Sequence, residues 1–168
     1  AAGNSSRMRG ADKLMRVIDG APLVQRTTER ALCTGLPVYV ALTAAKPERF
    51  EAVSALDAHK VMVQNAASGM GHSISEGVSA VTAEDCDGVM ILPADMPDIT
   101  TDDLQSIKNV WLQNTSQIVR GASKGSPGHP VVFPKSSFKE LASLSGDLGA
   151  RHVISAAESA PILVELPE

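Results

Sequence analysis

Two kinds of segment alternate along the chain when its apolar and polar positions are compared. Continuous apolar runs of strand length predict strands over residues 37–43, 61–63, 88–92, 117–120, 130–133 and 162–165. Between them, apolar residues at helical spacing predict helices over 22–33, over 47–56, from an opening at 68–71, from Thr100, over 135–143 and over 147–157. Strands that alternate with helices in this way indicate an α/β fold around a mostly parallel sheet.

Three of these elements carry a distinct local signal. Pro22 suits the first turn of its helix, where no backbone N–H is required. Gly88–Leu92 is apolar throughout, as expected for a strand that helices cover on both faces. Thr100 and Asp103 have the spacing of a capping box, which predicts a helix start there.

Composition narrows the class of protein. A chain of 168 residues suits one domain that buries roughly 70% of its unfolded surface, and only 3% aromatic residues predicts an aliphatic core. We expect a cytoplasmic protein, because the sequence has neither a run of eighteen apolar residues nor a signal-peptide pattern. Cys33 and Cys86 lack metal-ligand spacing and are predicted to be reduced structural thiols. A net charge of −4 argues against a general nucleic-acid binder.

The first thirteen residues combine small side chains with positive charge. The small residues allow the backbone to turn around an anion and direct N–H groups at it: Gly3, Ser5, Ser6 and Gly10. Arg7, Arg9 and Lys13 lie in the same segment. Residues 1–30 hold six cations and three anions, a local charge of +3 on an acidic chain. A phosphate chain is therefore the predicted ligand, with a solvated charged loop as the alternative.

The spacing of this segment differs from two common phosphate-binding motifs. Lys13 follows Gly10 by three positions and no Ser or Thr comes next, unlike a P-loop. The dinucleotide fingerprint has tighter glycine spacing and no lysine.

A second candidate site follows the predicted strand at 88–92. Asp95 lies between Pro93 and Pro97, which restrict the loop, at the carboxyl end of a strand, where open α/β sheets bind ligands. A carboxylate there suits Mg²⁺, which completes its coordination with phosphate oxygens and water. A purely structural turn or cap is the alternative for Asp95.

Two further segments contain candidate ligand contacts. Asn65–Ser73 opens a helix, whose free N–H groups would face a ribose or a phosphate. Gly121–Pro130 is a glycine-rich connection that allows close approach of backbone to ligand. Within it, Lys124 and His129 could meet an anionic acceptor, although a structural His129 bonded to backbone is the alternative.

The segment Ser145–Arg151 leaves two interpretations open. Asp147 fits either a substrate contact or the N-cap of the helix that follows. Arg151 lies one turn further on, where it fits either an ion pair with Asp147 or a contact with a substrate phosphate.

These motifs resemble those of the MobA-like nucleotidyltransferase family. The opening is similar to Ala-Ala-Gly-x-Ser-x-Arg-Met-Gly-x-x-Lys-Leu, with Arg9 at the usual glycine position and Gly10 one residue later. Leu92–Pro97 resembles the family's metal-binding motif, and Gly128–Pro130 resembles a segment on the acceptor side of its cleft. The Ala-Ala-Gly opening and Gly146–Arg151 resemble the molybdenum cofactor cytidylyltransferase branch in particular.

The resemblance implies a fold and a reaction. The implied fold is a three-layer α/β/α Rossmann-like nucleotidyltransferase domain over residues 1–168, of the nucleotide-diphospho-sugar transferase type, with a mostly parallel mixed sheet. The implied reaction moves CMP from CTP (or the nucleotide from GTP) onto the terminal phosphate of molybdopterin, releases pyrophosphate and uses Mg²⁺. A phosphate monoester is already a dianion near neutral pH, because its second pKa is ~6, so no general base is required.

It also implies three groups of site residues. The implied catalytic residues are Arg7, Lys13 and Asp95, with Asp95 as the metal ligand. The implied nucleotide contacts are Ala2, Gly3, Asn4, Ser5, Ser6, Asn65, Gly69 and Ser73. The implied acceptor contacts are Gly128, His129, Pro130, Asp147 and Arg151.

Two departures from the family pattern leave alternatives open. We expect a strand of about five apolar residues before Ala1, and an acidic family segment, a candidate source of a second metal ligand, after Leu166–Glu168. One alternative is a cytidylyltransferase for a sugar phosphate or for methylerythritol phosphate. Another is a non-catalytic carrier that delivers molybdopterin to a molybdenum hydroxylase apoenzyme. Neither nucleic acid nor membrane is an expected partner.

Overall fold

A computed structural model describes residues 2, 12–64, 66, 69–83, 85–146 and 149–167. The strands are β1 Val17–Ile18, β2 Ala21–Pro22, β3 Tyr39–Leu42, β4 His59–Met62, β5 Gly88–Ile91, β6 Val119–Ser123, β7 Ser126–Pro134 and β8 Ile162–Glu165. The α-helices are α1 Leu23–Leu32, α2 Pro47–Val53, α3 Met70–Val81, α4 Thr101–Leu112, α5 Phe138–Ala142 and α6 Arg151–Ala156. Short 3₁₀ turns occupy Lys13–Met15 and Lys135–Ser137.

Within the described residues, the longer strands form two sheets, one of two strands and one of four. β3 pairs in parallel with β4, with Tyr39 opposite His59 and Leu42 opposite Met62. The larger sheet has the order β5-β7-β6-β8, in which β7 is antiparallel to β5 and β6, and β8 is parallel to β6. The predicted α/β class with a mixed sheet is therefore confirmed. Because β7 opposes both of its neighbours, β5 and β6 run in the same direction and their carboxyl ends reach the same edge of the sheet.

Helices cover both faces of the larger sheet. Alternate residues of β7 point to opposite faces, as the two-residue period of a strand requires. Val131 and Phe133 pack with α3, α5 and α6, in a cluster that includes Val78, Leu141 and Val153. Val132 packs on the other face against α4, through Ile107 and Trp111. A further aliphatic cluster, centred on Leu23, Val24, Val40, Leu42 and Val53, joins α1 and α2 to β3.

Helix α4 begins as its sequence predicts. The Thr100 hydroxyl accepts a hydrogen bond from the Asp103 N–H at 3.2 Å. The Asp103 carboxylate in turn accepts one from the Thr100 N–H at 2.8 Å, so the capping box is complete. Among the described residues, no helix is long and apolar enough to cross a membrane.

The predicted glycine-rich connection over 121–130 is wrong, because most of these residues belong to a β-hairpin. β6 and β7 are joined by Lys124 and Gly125, which have φ of 50° and 72°. Positive φ at both central residues is the geometry of a two-residue hairpin turn, and it matches the twist of the strands. β7 thus begins at Ser126, four residues before the predicted strand, and brings Gly128–Pro130 into the sheet.

Candidate active site

Lys13 and Asp95 are adjacent although 82 residues separate them in sequence. Lys13 Nζ lies 3.2 Å from Asp95 Oδ2, and the two side chains are 46% and 52% exposed. An exposed ion pair contributes only about 0–1 kcal/mol to stability, so the pair is not a structural requirement of the fold. Both groups are open to a ligand at the carboxyl edge of β5.

A buried ion pair holds the chain next to Lys13. Arg49 on α2 is fully buried, and its Nε and Nη2 donate to the two oxygens of Asp12 at 2.7 and 2.9 Å. Asp12 also caps the Lys13–Met15 turn by accepting from the Leu14 N–H at 3.0 Å. Burial opposes ionisation of Asp12, but the hydrogen bonds from Arg49 and Leu14 outweigh it and lower the pKa of this carboxyl. The position of Lys13 is thus set from α2.

Helix α1 holds the loop that carries Asp95. The Thr27 hydroxyl donates to the Ala94 carbonyl at 3.2 Å. Arg30 Nη1 donates to the carbonyls of Pro97 and Ile99, the second at 2.9 Å. Arg26 similarly binds the carbonyls of Ile18 and Asp19. Arg26 and Arg30, which contribute to the positive charge of residues 1–30, therefore serve the fold rather than a ligand.

The register between β6 and β7 shifts next to the site. Arg120 lies opposite Val131 and Ala122 opposite Pro127, so Gly128–Pro130 face the single residue Gly121. A Cβ on Gly121 would lie 2.6 Å from the His129 carbonyl oxygen, so this approach requires glycine. A bulge of this kind redirects side chains at the edge of a sheet. His129, joined to Pro130 by a cis peptide bond, is exposed at this bulge.

Arg120 holds the bulge through hydrogen bonds, and its charge acts on His129. Its Nε and Nη2 both donate to the Gly128 carbonyl, at 3.1 and 2.9 Å. Desolvation and then repulsion by Arg120 lower the pKa of His129, whereas attraction by Asp95 opposes the shift. Desolvation and repulsion by Arg151 similarly lower the pKa of Arg120. Asp95, His129, Arg120 and Arg151 therefore lie within one electrostatic environment.

The start of α3 contains two of the candidate nucleotide contacts, Gly69 and Ser73. Gly69 is the N-cap of α3, and Ser73 follows in its first turns, with a buried hydroxyl that lacks a hydrogen-bond partner within the described residues. The Gly71 N–H donates to the Gly146 carbonyl at 2.9 Å, which joins the start of α3 to the segment before Arg151. Ala2, another candidate nucleotide contact, is fully buried and packs with Val63 and Ala66.

Several predicted site residues lie outside the described part of the chain: Gly3, Asn4, Ser5, Ser6, Arg7, Asn65 and Asp147. The predicted helix over 147–157 begins only at Arg151, and Ala150 occupies its N-cap position. Among the described candidates, the structure brings Lys13 and Asp95 into contact. It places Gly128, His129 and Pro130 in the bulge of β7, Gly69 and Ser73 at the start of α3, and Arg151 at the start of α6.

Arg49 and Arg120 are not among the residues that sequence analysis identifies as candidates. Arg49 shares the buried face of α2 with Val53, four residues later, and this spacing was the available signal. Arg120 lies in a predicted strand, and its partner, the Gly128 carbonyl, is a backbone atom that no side-chain pattern reveals.

The Asp95 carboxylate suits a cation that takes its remaining ligands from a bound substrate and from water. Asp95 offers hard carboxylate oxygens, and Oδ1 has no hydrogen-bond partner among the described residues. No group of three His, Cys, Asp or Glu side chains converges in that part of the chain. A single carboxylate fits Mg²⁺, which keeps several waters and takes other ligands from substrate phosphates.

Sequence comparison shows which known proteins this chain is similar to. The sequence pattern of the MobA-like NTP transferase domain matches residues 1–161. The chain is 29% identical over 168 residues to the purine catabolism protein PucB of Bacillus subtilis (strain 168), covering 94% of this chain and 79% of PucB.

Solved structures share the fold. Rv0371c from Mycobacterium tuberculosis H37Rv superposes with a TM-score of 0.82 at 21% identity, over 99% of this chain and 84% of that one. Rv0371c has also been solved in complex with manganese. CMP:2-keto-3-deoxy-manno-octonic acid synthetase complexed with CTP superposes with a TM-score of 0.75 at 16% identity, over 99% and 87%. Because the domain pattern spans nearly all of its length, the chain belongs to the MobA-like NTP transferase family of nucleotidyltransferases.

Proposed function

We propose that this nucleotidyltransferase is a molybdenum cofactor cytidylyltransferase, which transfers CMP from CTP to the terminal phosphate of molybdopterin. The observation that carries the proposal is the 3.2 Å approach of Lys13 to Asp95, which joins the two most specific motifs of the sequence in one cleft. The CTP in the solved synthetase supports the choice of nucleotide. The resemblance of Gly146–Arg151 to the cofactor branch supports the choice of acceptor.

The proposed reaction requires no general base. An oxygen of the acceptor's phosphate dianion attacks the α-phosphorus of CTP and forms the new P–O bond. The bond from the α-phosphorus to the bridging oxygen breaks, and pyrophosphate leaves with the electron pair. Because the nucleophile is already deprotonated near neutral pH, we assign no proton transfer to His129. Its lowered pKa keeps the imidazole neutral there, consistent with a positioning contact.

The protein's own contribution is positioning and charge neutralisation. Lys13, together with Arg7 and the backbone of Gly3–Ser6, would hold the triphosphate and stabilise the departing pyrophosphate. Asp95 would hold the divalent cation, with Mg²⁺ as our choice; the manganese in Rv0371c supports a divalent metal in this fold. When bound, such a cation neutralises charge on the phosphate oxygens.

A substrate panel tests the proposal directly. The protein is incubated with Mg²⁺, each of the four nucleoside triphosphates and three acceptors: molybdopterin, a sugar phosphate and methylerythritol phosphate. We expect pyrophosphate release and a CMP-linked product only with CTP and molybdopterin. Binding of molybdopterin without pyrophosphate release would favour the carrier alternative. Turnover with either of the other acceptors would contradict the assigned substrate.

A matched pair of variants tests whether any activity depends on Asp95. Asp95→Asn removes the proposed metal ligand while conserving shape. Lys139→Met changes charge at an exposed residue of α5, away from the site. We expect the first to lose turnover and the second to retain it, with equal melting temperatures.

A further inference from the structure

Arg120 is a half-buried cation whose charge has no counterion within the part of the chain that the structure describes. Its hydrogen bonds go to one neutral carbonyl, that of Gly128, and no carboxylate pairs with it among the described residues. A guanidinium carries five N–H donors, and these bonds leave Nη1 without an acceptor. Partial burial of an unpaired charge is unfavourable, so the group is prepared to receive an anion.

A second arginine begins the helix that covers the same face of the sheet. Arg120 lies opposite Val131, and Val131 packs against Val153 of α6. Arg151 is exposed at the first position of α6 and, within the described ranges, also lacks a carboxylate partner. Its charge is close enough to Arg120 to lower the pKa of that guanidinium. Two adjacent guanidinium groups repel each other, and an oxyanion placed between them relieves the repulsion through charge-assisted hydrogen bonds.

The position of the pair relative to Lys13 and Asp95 indicates which oxyanion it receives. Arg120 is bonded to the bulge that carries His129, and His129 lies in the field of Asp95. In the sheet order β5-β7-β6, the bulge of β7 lies between Arg120 on β6 and the end of β5, which leads to Asp95. A phosphate held by the arginines would be kept apart from the triphosphate that Lys13 is proposed to bind, and an in-line displacement requires such a separation of the attacking and leaving groups.

We propose that Arg120 and Arg151 form an oxyanion subsite that binds the attacking phosphate of the acceptor. The inference rests on the proposed function and adds Arg120 as the residue that orients the nucleophile. Arg120 has two roles in it: Nε and Nη2 hold the bulge, and the remaining donors face the ligand.

Steady-state kinetics provide the first test. Arg120→Met and Arg120→Lys are compared with wild type and with Lys139→Met, which removes a cation outside the site. Loss of charge-assisted hydrogen bonds predicts a rise of about 10- to 100-fold in the acceptor KM of Arg120→Met. The KM for CTP should change less than about twofold. Arg120→Lys should recover only part of the loss, because an ammonium cannot make the bidentate contact.

The subsite could bind either the acceptor phosphate or a phosphate of CTP, because the two groups have the same chemistry. Inhibition by inorganic phosphate distinguishes these two ligands. We expect inhibition that competes with the acceptor and not with CTP. A rise in the CTP KM of Arg120→Met, or competition by phosphate against CTP, would overturn the assignment to the acceptor.

A binding measurement keeps this inference separate from the proposed function. Inorganic phosphate is titrated by calorimetry into wild type, Arg120→Met and Lys139→Met, with no nucleotide present. Weaker binding to Arg120→Met alone supports the subsite, even if no acceptor in the panel is turned over. Equal phosphate affinities in all three proteins would overturn it.

Chemical modification of wild type avoids any dependence on a variant that fails to fold. Phenylglyoxal labels accessible guanidinium groups, and peptide mass spectrometry reports each site. Phosphate should slow the labelling of Arg120 and Arg151, whereas Arg26, which is bonded to the Ile18 and Asp19 carbonyls, serves as the internal reference. Equal rates with and without phosphate at Arg120 would also overturn the subsite.

Discussion

The adjacent residues Asp12 and Lys13 belong to two ion pairs that differ in burial. The Asp12–Arg49 pair is buried and bidentate, whereas the Lys13–Asp95 pair is half exposed and joined by one contact. Breaking a buried pair leaves an uncompensated charge and is costly, whereas an exposed pair contributes little to stability. The first pair is therefore suited to hold the structure, and the second to exchange its partner for a ligand.

Lys13→Met should separate catalysis from folding. Removal of a single group that stabilises charge in a transition state typically costs about 10²–10³ in rate. We expect this loss in the rate of pyrophosphate release, with a melting temperature within about 2 °C of wild type, because the pair with Asp95 is exposed. Lys139→Met is the matched control. Near-normal turnover in Lys13→Met would contradict the role assigned to Lys13.

The imidazole of His129 should titrate below its ordinary pKa of 6.5. Partial desolvation and the charge of Arg120 both disfavour the imidazolium, and Asp95 only partly compensates. NMR titration of the ring should show this low midpoint in wild type. Arg120→Met removes the repulsion and should raise the midpoint, whereas Asp95→Asn should lower it further. An unchanged midpoint in both variants would contradict the shared electrostatic environment.

Arg49→Met should be among the most destabilising substitutions at this site. It leaves the Asp12 carboxylate without its partner in a buried position, and the expected loss is about 3–5 kcal/mol. The double variant Asp12→Asn/Arg49→Met removes both charges and should be more stable than the sum of the single effects predicts. Urea denaturation of all four proteins measures this coupling, and strict additivity would show that the pair does not act as a unit.

At the scale of elements, helices hold the loops that contain the site. α2 anchors the turn that contains Lys13 through Arg49, and α1 binds the loop around Asp95 through Thr27 and Arg30. α4 begins directly after this loop, and the Thr101 hydroxyl donates to the Arg30 carbonyl at 3.1 Å. The loop that contains Asp95 is therefore held at both ends by helix contacts.

Thr100→Ala tests the contribution of the capping box to this arrangement. Loss of an N-cap side chain costs about 1 kcal/mol, which for a domain of this size lowers the melting temperature by about 2–4 °C. Thr115→Ala, at an exposed turn residue after α4, is the control and should have a smaller effect. Calorimetry compares the two, and equal melting temperatures would mean that packing of α4 alone determines its start.

At the scale of the whole molecule, the Asp12–Arg49 pair should make stability depend on pH. The folded-state pKa of Asp12 is lowered, so its contribution is complete above the unfolded-chain value of about 3.9. This stability is lost as pH falls through the lower folded-state pKa. We expect the free energy of unfolding, measured by denaturation at pH 7 and at pH 3, to differ less between the two pH values for Asp12→Asn than for wild type. Identical differences would show that other carboxyl groups determine the acid response.

The local sequence pattern was sufficient to predict most helices and strands, because the residues that signal each element lie close together in the chain. Strand β8 at Ile162–Glu165 and the capping box at Thr100 and Asp103 are found as predicted. The hairpin of β6 and β7 could not be predicted, because residues 121–130 have the composition of a loop. Lys124 adopts a positive φ that its residue type does not signal, and the pairing with β5 and β6 extends β7 to Ser126.

By itself, the sequence determined the α/β class, the family and the identity of Lys13 and Asp95 as candidates, since residue types and their local spacing carry that information. Only the tertiary structure decided that these two residues meet and that Arg49 fixes the turn beside Lys13. It also decided that Arg120 and α6, which begins at Arg151, share one face of the sheet, with no carboxylate partner for either arginine among the described residues. Such contacts join residues far apart in the chain, and they depend on strand order, on a register shift opposite Gly121 and on backbone acceptors that have no side-chain signature.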